Sequence, residues 1–300
     1  MSVKNFKVSV AGRYPPPVGG VSVYVSRRFS LLKAQGREVE KLDFSDRFFP
    51  FDLFKSEADT YEVNSLNLLV VFIFFIFGKL SRCIFIDHNA SRHYVGFKKK
   101  VLLFFIRRAL KVYVVKPELK TFYPDGITVD VVSPFIVPDV DQLDSVLSSY
   151  SQEVLDFIEK GVFVVNSAWK FIPYNKTDVY GILDSVELLR RVDDIKLLLA
   201  VADYNPADMP AGLVSDIERF VNEGRLCLFT GQKQLWPVFK KSAVCLRLTP
   251  YDGDSVCVRE AIHFGCKVLA SDAAPRPSDC FIYPYGNFEQ LKTKLKEMLE

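Results

Sequence analysis

The sequence predicts an α/β protein of two Rossmann-like domains facing a cleft, and three observations carry that prediction. The chain has 300 residues, about twice the roughly 150 of an ordinary domain. Short apolar runs alternate with helical patterns throughout, as parallel sheets with helices on both faces require. Near the middle, the segment Ser133 to Asp141 (SPFIVPDVD) carries two prolines, and the charge reverses there. Residues 1–136 hold 21 Lys and Arg against 12 Asp and Glu, whereas residues 137–300 hold 18 against 24. The domains are accordingly set at 1–137 and 138–300.

The elements follow in order. Phe6 to Gly12 reads as a strand, followed by the loop PPPVGG and a helix from Val21 to Lys33 that Gly36 stops. Glu38 to Phe44 is the next strand, and a less regular aromatic stretch follows it. Leu66 to Phe77 (LNLLVVFIFFIF) is about a dozen apolar residues, short of the roughly 20 that span a membrane. It reads as a buried helix, with one end at most in reach of lipid. Cys83 to Asp87 forms a strand running into His88, then come a basic amphipathic helix from Phe97 to Leu110 and strands at Val112–Val115 and Ile127–Val132. In the second half, strands are expected at Val162–Val165, Ile195–Ala200, Leu226–Phe229, Val244–Leu248 and Lys267–Ala270, with a final helix from Phe288.

Composition narrows the function classes. With 49% hydrophobic and 25% charged residues, the chain is neither disordered nor collagen-like. Six cysteines without a C-x-x-C pair, and no His at ligand spacing, read as reduced thiols rather than a disulfide scaffold or zinc module. No secretory signal pattern opens the chain, so the expected compartment is the cytoplasm. No nucleic-acid-binding motif occurs, and no nucleic-acid partner is expected.

Open α/β sheets bind ligands beyond the carboxyl ends of their strands. One such loop holds Gly19 and Gly20, where the backbone can approach a ligand and the next helix offers N–H groups to an anion. The G-x-G-x-x-G fingerprint of dinucleotide binders is absent. The richer loop is Arg247 to Gly265, RLTPYDGDSVCVREAIHFG. Its helix is capped by Asp254 or Ser255, and Glu260 lies about one and a half turns inside. A carboxylate there suits ribose or sugar hydroxyls, although a capped surface helix with a solvated Glu fits the spacing equally well.

Here the sequence resembles the retaining family-4 glycosyltransferases of the GT-B fold. Asp252 and Glu260 are separated by seven residues, in the place of the family's E-x7-E motif, with Asp as the first acid. The string DGDSVCVREAIHFGCKVLASDAAPRP is similar to the family's donor-binding segment, PPPVGG to its diphosphate loop, and TDVYGILDSVELL to the first long helix of its second domain. The family's Arg…Lys pair has no clean counterpart: Asn166-Ser167-Ala168 stands where the Arg loop would be, and Lys176 or Lys170 must serve as the Lys.

The resemblance implies roles. Glu260 would bind the ribose hydroxyls and Asp252 a hydroxyl of the donor sugar. Arg247 and the backbone of Gly253, Asp254, Ser255 and Val256 would hold sugar or phosphate oxygens. Gly19, Gly20 and Lys176 would stabilise the leaving diphosphate, Thr230, Gly231 and Gln232 would frame the nucleobase, and His88 would sit beside the donor sugar. It further implies no metal and no other cofactor. Asp252-x-Asp254 mimics the metal-binding D-x-D of GT-A transferases, but it comes late in the chain and opens a helix.

The expected function is thus transfer of a sugar from a nucleotide-diphosphate donor to a glycan or lipid-linked glycan acceptor in polysaccharide biosynthesis. A non-catalytic nucleotide-sugar-binding or scaffold protein on the same fold is the alternative, and an epimerase a third reading. Residues 97–116, FKKKVLLFFIRRALKVYVVK, carry seven cations among apolar residues. They read either as a core helix with solvated lysines or as a segment docking on the inner, anionic face of a membrane.

Overall fold

Each half of the chain folds around a six-stranded parallel sheet, and the strand order of each sheet locates its ligand end. The structure, a computed structural model, describes residues 6–252 and 254–300. It divides into two units, one ending at Ile136 and the other beginning at Val137.

Unit 1 runs β1 (Lys7–Gly12), α1 (Gly20–Ala34), β2 (Glu38–Asp43), α2 (Phe49–Lys55), β3 (Thr60–Val63), α3 (Leu68–Ile76), β4 (Cys83–Asp87), α4 (Gly96–Ile106), β5 (Lys111–Val114) and β6 (Val129–Val131). The sheet order is β2-β1-β3-β4-β5-β6, so the winding reverses between β1 and β3. Strand β3 is the part of this sheet that sequence patterning does not find. It is only TYEV, fully buried, with a carboxylate inside it. Arg28 of α1 explains how Glu62 can lie there: its Nε and Nη2 donate to the two carboxylate oxygens at 2.7 and 2.6 Å. A buried carboxylate is tolerable when a planar guanidinium satisfies both oxygens.

Two further expectations need correction. The apolar segment expected to be a buried helix is α3, and only Val71 and Phe74 in it are buried. Leu69, Phe72, Phe75 and Ile76 face outward. The basic helix α4 ends at Ile106 rather than Leu110, and it turns Leu102 and Ile106 into the core. Lys79, itself buried, donates its Nζ to the carbonyls of Leu53 and Ser56 at the end of α2 and to the Tyr61 hydroxyl. It thereby satisfies carbonyls that a helix end leaves without partners.

Unit 2 runs α5 (Leu143–Leu147), α6 (Gln152–Glu159), β7 (Val164–Ala168), β8 (Pro173–Tyr174), β9 (Thr177–Asp178), α7 (Ile182–Arg191), β10 (Leu197–Val201), α8 (Ala211–Asn222), β11 (Leu226–Thr230), α9 (Trp236–Phe239), β12 (Val244–Arg247), α10 (Val256–His263), β13 (Lys267–Ser271), β14 (Cys280–Tyr283) and α11 (Phe288–Leu299). The order β11-β10-β7-β12-β13-β14 is the 3-2-1-4-5-6 order of dinucleotide-binding sheets. Two cores cover its faces, one centred on α7, α8 and α11, the other on α6, α9 and α10. β8 and β9 form a small antiparallel hairpin. Among the described residues, no helix is long and apolar enough to cross a membrane.

Candidate functional site

In unit 2 the winding reverses between β7 and β12, so the candidate site lies where these strands end, at Ala168 and Arg247. A hollow of about 540 Å³ exists elsewhere, lined by Val162, Arg191, Asp193 and Lys296 among others. It adjoins the opposite, amino ends of β7 and β10, where the winding makes no crevice for a ligand.

Three ionised groups meet at the carboxyl end of β12. Arg247 donates Nε and Nη2 to Asp252 at 2.7 and 3.1 Å, and Arg276 donates Nη1 to the same carboxylate at 2.7 Å. Arg276 also donates Nε to the Ser271 carbonyl and Nη2 to Thr249 Oγ1. The side chains are 12%, 10% and 4% exposed for Arg247, Asp252 and Arg276. Burial pushes the Asp252 carboxyl up, but the two guanidinium groups outweigh it and hold the carboxyl below its usual range. Burial likewise works against the charge on Arg247, and Asp252 keeps it protonated. Two cations and one anion leave one net positive charge at this strand end.

Beyond it, α10 begins. Ser255 rather than Asp254 is its cap, accepting from Val258 N–H at 3.4 Å. Asp254 is instead held bidentately by Arg259 at 2.5 and 2.6 Å. Val256 opens the helix, and Gly253 lies outside the described residues. Cys257, in the first turn, meets Ser167 of β7 at 3.2 Å, which ties this helix start to the reversal point. Glu260 is buried at 6% exposure. Its charge raises the Tyr150 phenol, which burial has already pushed up. The Tyr150 hydroxyl donates to the Gln234 carbonyl, and its ring packs on Phe229, 4.7 Å between centroids. Tyr150 thus braces the β11–α9 loop, which holds Gly231 and Gln232 just after Thr230, and it does so within the field of the Glu260 charge.

Lys176 is exposed at the tip of the β8–β9 hairpin, beside Asn175 at φ +52°. Tyr174 of that hairpin contacts Tyr251, 5.7 Å between rings, which brings the hairpin against the segment that leads into Asp252. Asn166 does not point outward. Its Nδ2 donates to the carbonyls of Tyr180 and Gly181 and to Ser185, fastening α7 to β7. Gly181 has φ +68°, and a Cβ there would stand 2.3 Å from Leu248, so only glycine fits this crossing.

In unit 1 the reversal point lies between Gly12 and Val63, and α1 starts beside it with Gly19 as its cap. Gly19 is extended (φ −153°), and a Cβ on it would meet only Ser22 Oγ, at 3.9 Å. The fold itself does not demand glycine there. His88 follows β4, and its Nε2 lies 3.0 Å from Asn64 Oδ1. The Asn64 amide nitrogen donates to the Ala11 and Glu62 carbonyls, which fixes Oδ1 as the acceptor and places the His88 proton on Nε2. Burial pushes His88 down to about 4, against the weaker pull of Asp87. The imidazole is therefore neutral at pH 7.

The sign of the linkage follows. Between pH 6.5 and about 4 the unfolded chain binds the His88 proton and the native chain does not, so stability falls as pH drops through that window. The half-buried ring limits the effect to about 1–2 kcal/mol. Denaturant titrations at pH 7 and 4.5 should show a smaller acid loss in His88→Gln than in the parent; equal losses would show that His88 is not the group responsible.

The sequence alone assigns no role to Arg276, Tyr150 or Asn64. Arg276 was legible only as part of the RP that closes the donor-like string, and nothing local marks Tyr150 as a neighbour of Glu260.

No protein-family model matches the chain, and no curated protein matches it significantly. Solved structures do. HepE of Anabaena, in complex with UDP and glucose, superposes with TM-score 0.62 at 15% identity, covering 98% of this chain and 90% of that one. The UDP-forming α,α-trehalose-phosphate synthase of Burkholderia xenovorans, with glucose-6-phosphate, gives 0.63 at 13% identity over 98% and 92%. A glycosyltransferase of Rickettsia africae gives 0.63 at 14% over 99% and 88%. With two Rossmann-like units and these structural neighbours, the chain has the GT-B fold.

Proposed function

We propose that the protein is a retaining, metal-independent glycosyltransferase that uses a nucleotide-diphosphate sugar. The observation that carries this reading is the arrangement around α10: a buried Glu260 inside the helix, its N-terminus at the reversal point of the sheet, and a net positive triad beside it. HepE, whose structure holds UDP and glucose, supports a nucleotide-sugar donor.

In this reading Glu260 accepts hydrogen bonds from the ribose hydroxyls, and Thr230 to Gln232 border the base. Lys176, Arg247, the first-turn N–H groups of α10 and the Gly19–Gly20 loop stabilise the diphosphate as it leaves. Asp252 works chiefly by aligning Arg247 and Arg276, since those arginines already occupy its oxygens. The acceptor hydroxyl oxygen bonds to the anomeric carbon on the face the diphosphate leaves. The C–O bond to phosphate breaks with its electron pair, and the hydroxyl proton passes to a phosphate oxygen. Neutral His88, with its proton on Nε2, offers Nδ1 to a sugar hydroxyl. Both carboxylates of the D-x-D string are held by arginines, which favours a reaction without a divalent ion. A glycan on a lipid carrier, made during polysaccharide assembly in the cytoplasm, is the proposed acceptor.

The test is incubation with a panel of labelled nucleotide sugars, with and without EDTA. Slow donor hydrolysis or transfer that survives EDTA is expected. Binding without turnover would make the protein a scaffold, and loss restored by manganese would favour the D-x-D chemistry. Because a Cβ at Gly19 meets only Ser22 Oγ, at 3.9 Å, Gly19→Ala should shift the unfolding midpoint by only a few degrees. It should nevertheless slow turnover about tenfold or more, by blocking approach of the diphosphate to the backbone. Unchanged turnover would remove this loop from the site.

A further inference from the structure

Helix α3 (LLVVFIFFI) contains no polar side chain, so its outward face is as apolar as its buried one. Leu69 is 66% exposed, Phe72 44%, Phe75 41% and Ile76 59%. Isolated surface phenylalanines need no explanation, but this row is continuous with its neighbours. Phe72 and Phe75 both pack on Phe105 of α4, at 6.0 and 5.1 Å, and Phe105 packs on the exposed Phe104 at 5.3 Å. On the other side Phe77 meets the exposed Phe54 of α2 at 5.6 Å.

Charge decorates this face on one side. Between His88 and Pro117 the sequence has no acidic residue. Phe97, Lys100, Phe104 and Arg107 lie at helical spacing along α4 and just past its end, and all are exposed. Arg108 lies over the Phe104 ring at 4.1 Å. On α2, Lys55 and nearby Arg47 are balanced by Asp46 and Asp52, so the excess positive charge comes from α4.

We infer that the α2–α3–α4 face of unit 1 docks on an anionic lipid bilayer. The α3 row would enter the boundary between headgroups and acyl chains, and the cations of α4 would meet lipid phosphates. An apolar centre with Lys and Arg beside it suits that boundary. A second copy of the chain suits it less, because a two-fold contact through this face brings the α4 cations of both copies together. The surface differs from the one the sequence suggests. Only Phe104 of the run Val101–Ile106 is exposed, and the inserting row is α3.

The inference stands apart from the proposed transfer, and its test uses no donor. The full chain is sedimented with phosphatidylcholine vesicles, with and without phosphatidylglycerol, and its self-association is followed by analytical ultracentrifugation. Binding to the anionic vesicles that weakens as salt rises is expected. Leu69→Gln/Ile76→Gln, at exposed positions outside the ring contacts, should lower partitioning about tenfold. Lys98→Gln/Lys100→Gln/Arg107→Gln should lower it about a hundredfold on anionic vesicles. Thermal unfolding checks that both variants fold. Absence of vesicle binding, or binding that Leu69→Gln/Ile76→Gln leaves unchanged, overturns the inference. So does a dimer that this variant dissolves while vesicle binding is absent, which would assign the face to a second copy.

Discussion

Asp252→Asn should lower the unfolding midpoint by about 10 °C. The substitution keeps the side-chain volume but removes the one anion between Arg247 and Arg276, which bond to it at 2.7 Å each. It also puts an amide NH₂ where one carboxylate oxygen accepted arginine donors. Breaking a buried pair by removing one partner costs about 3–5 kcal/mol, because a charge is left buried without compensation. In a domain of this size each kcal/mol moves the midpoint by about 2–4 °C. The pH dependence has a defined sign. The native carboxyl titrates below its unfolded value, so its contribution is complete above about pH 4 and is lost as pH falls through the native value. The stability gap between parent and variant should therefore be full at pH 7 and shrink below pH 4. A midpoint within about 2 °C of the parent at pH 7 would mean that the triad does not hold this loop. Asp252→Glu, the acid of the family's motif, must fit an extra methylene between two fixed guanidinium groups and should recover only part of the loss.

The same triad shows where sequence reading stops. The E-x7-E-like spacing marks Asp252 as a carboxylate at a strand end, but its second cation, Arg276, lies 24 residues later and returns through β13. The central strands are legible because β10 is an unbroken apolar run and β7, β12 and β13 each hold a short apolar stretch (Val164–Val165, Val244–Leu246 and Val268–Ala270), as strands buried on both faces do. β3 is not, because Glu62 interrupts its apolar character and Arg28, which neutralises it, belongs to another element. Helix α3 fails in the opposite sense. Hydrophobicity shows that a segment prefers to leave water, but not whether the chain provides enough surface to cover it. α4 covers one flank of α3, and Leu69 and Ile76 are left exposed. Local pattern thus sets strands and helix starts, while burial of charge and exposure of apolar faces depend on partners brought in by topology.

Glu260→Gln should fold and bind nucleotide at least tenfold more weakly than the parent, with UDP as the probe. A ribose diol donating two hydrogen bonds to a carboxylate gains about 1.5–3 kcal/mol from each, and the neutral amide retains only part of that. The structure also supplies a competing explanation: Glu260 is buried and its charge acts on Tyr150, so its removal could act by loosening the β11–α9 loop. A double-mutant cycle with the ligand separates the two. If Glu260 binds the diol, UDP lacking one ribose hydroxyl already forfeits one of the two hydrogen bonds, and the variant should lose less affinity for it than for UDP. If Glu260 acts through Tyr150 and the loop, the variant should weaken UDP and its deoxy analogue by the same factor. Tyr150→Phe provides the second axis. It removes the hydroxyl that donates to Gln234 while keeping the ring on Phe229, so it reports the loop alone. Non-additivity between Glu260→Gln and the deoxy ligand, with additivity between Tyr150→Phe and that ligand, is the expected pattern. Equal weakening of both ligands by Glu260→Gln would move Glu260 from ligand contact to loop positioning. Unchanged UDP affinity in the folded variant would remove the observation on which the nucleotide-sugar reading chiefly rests.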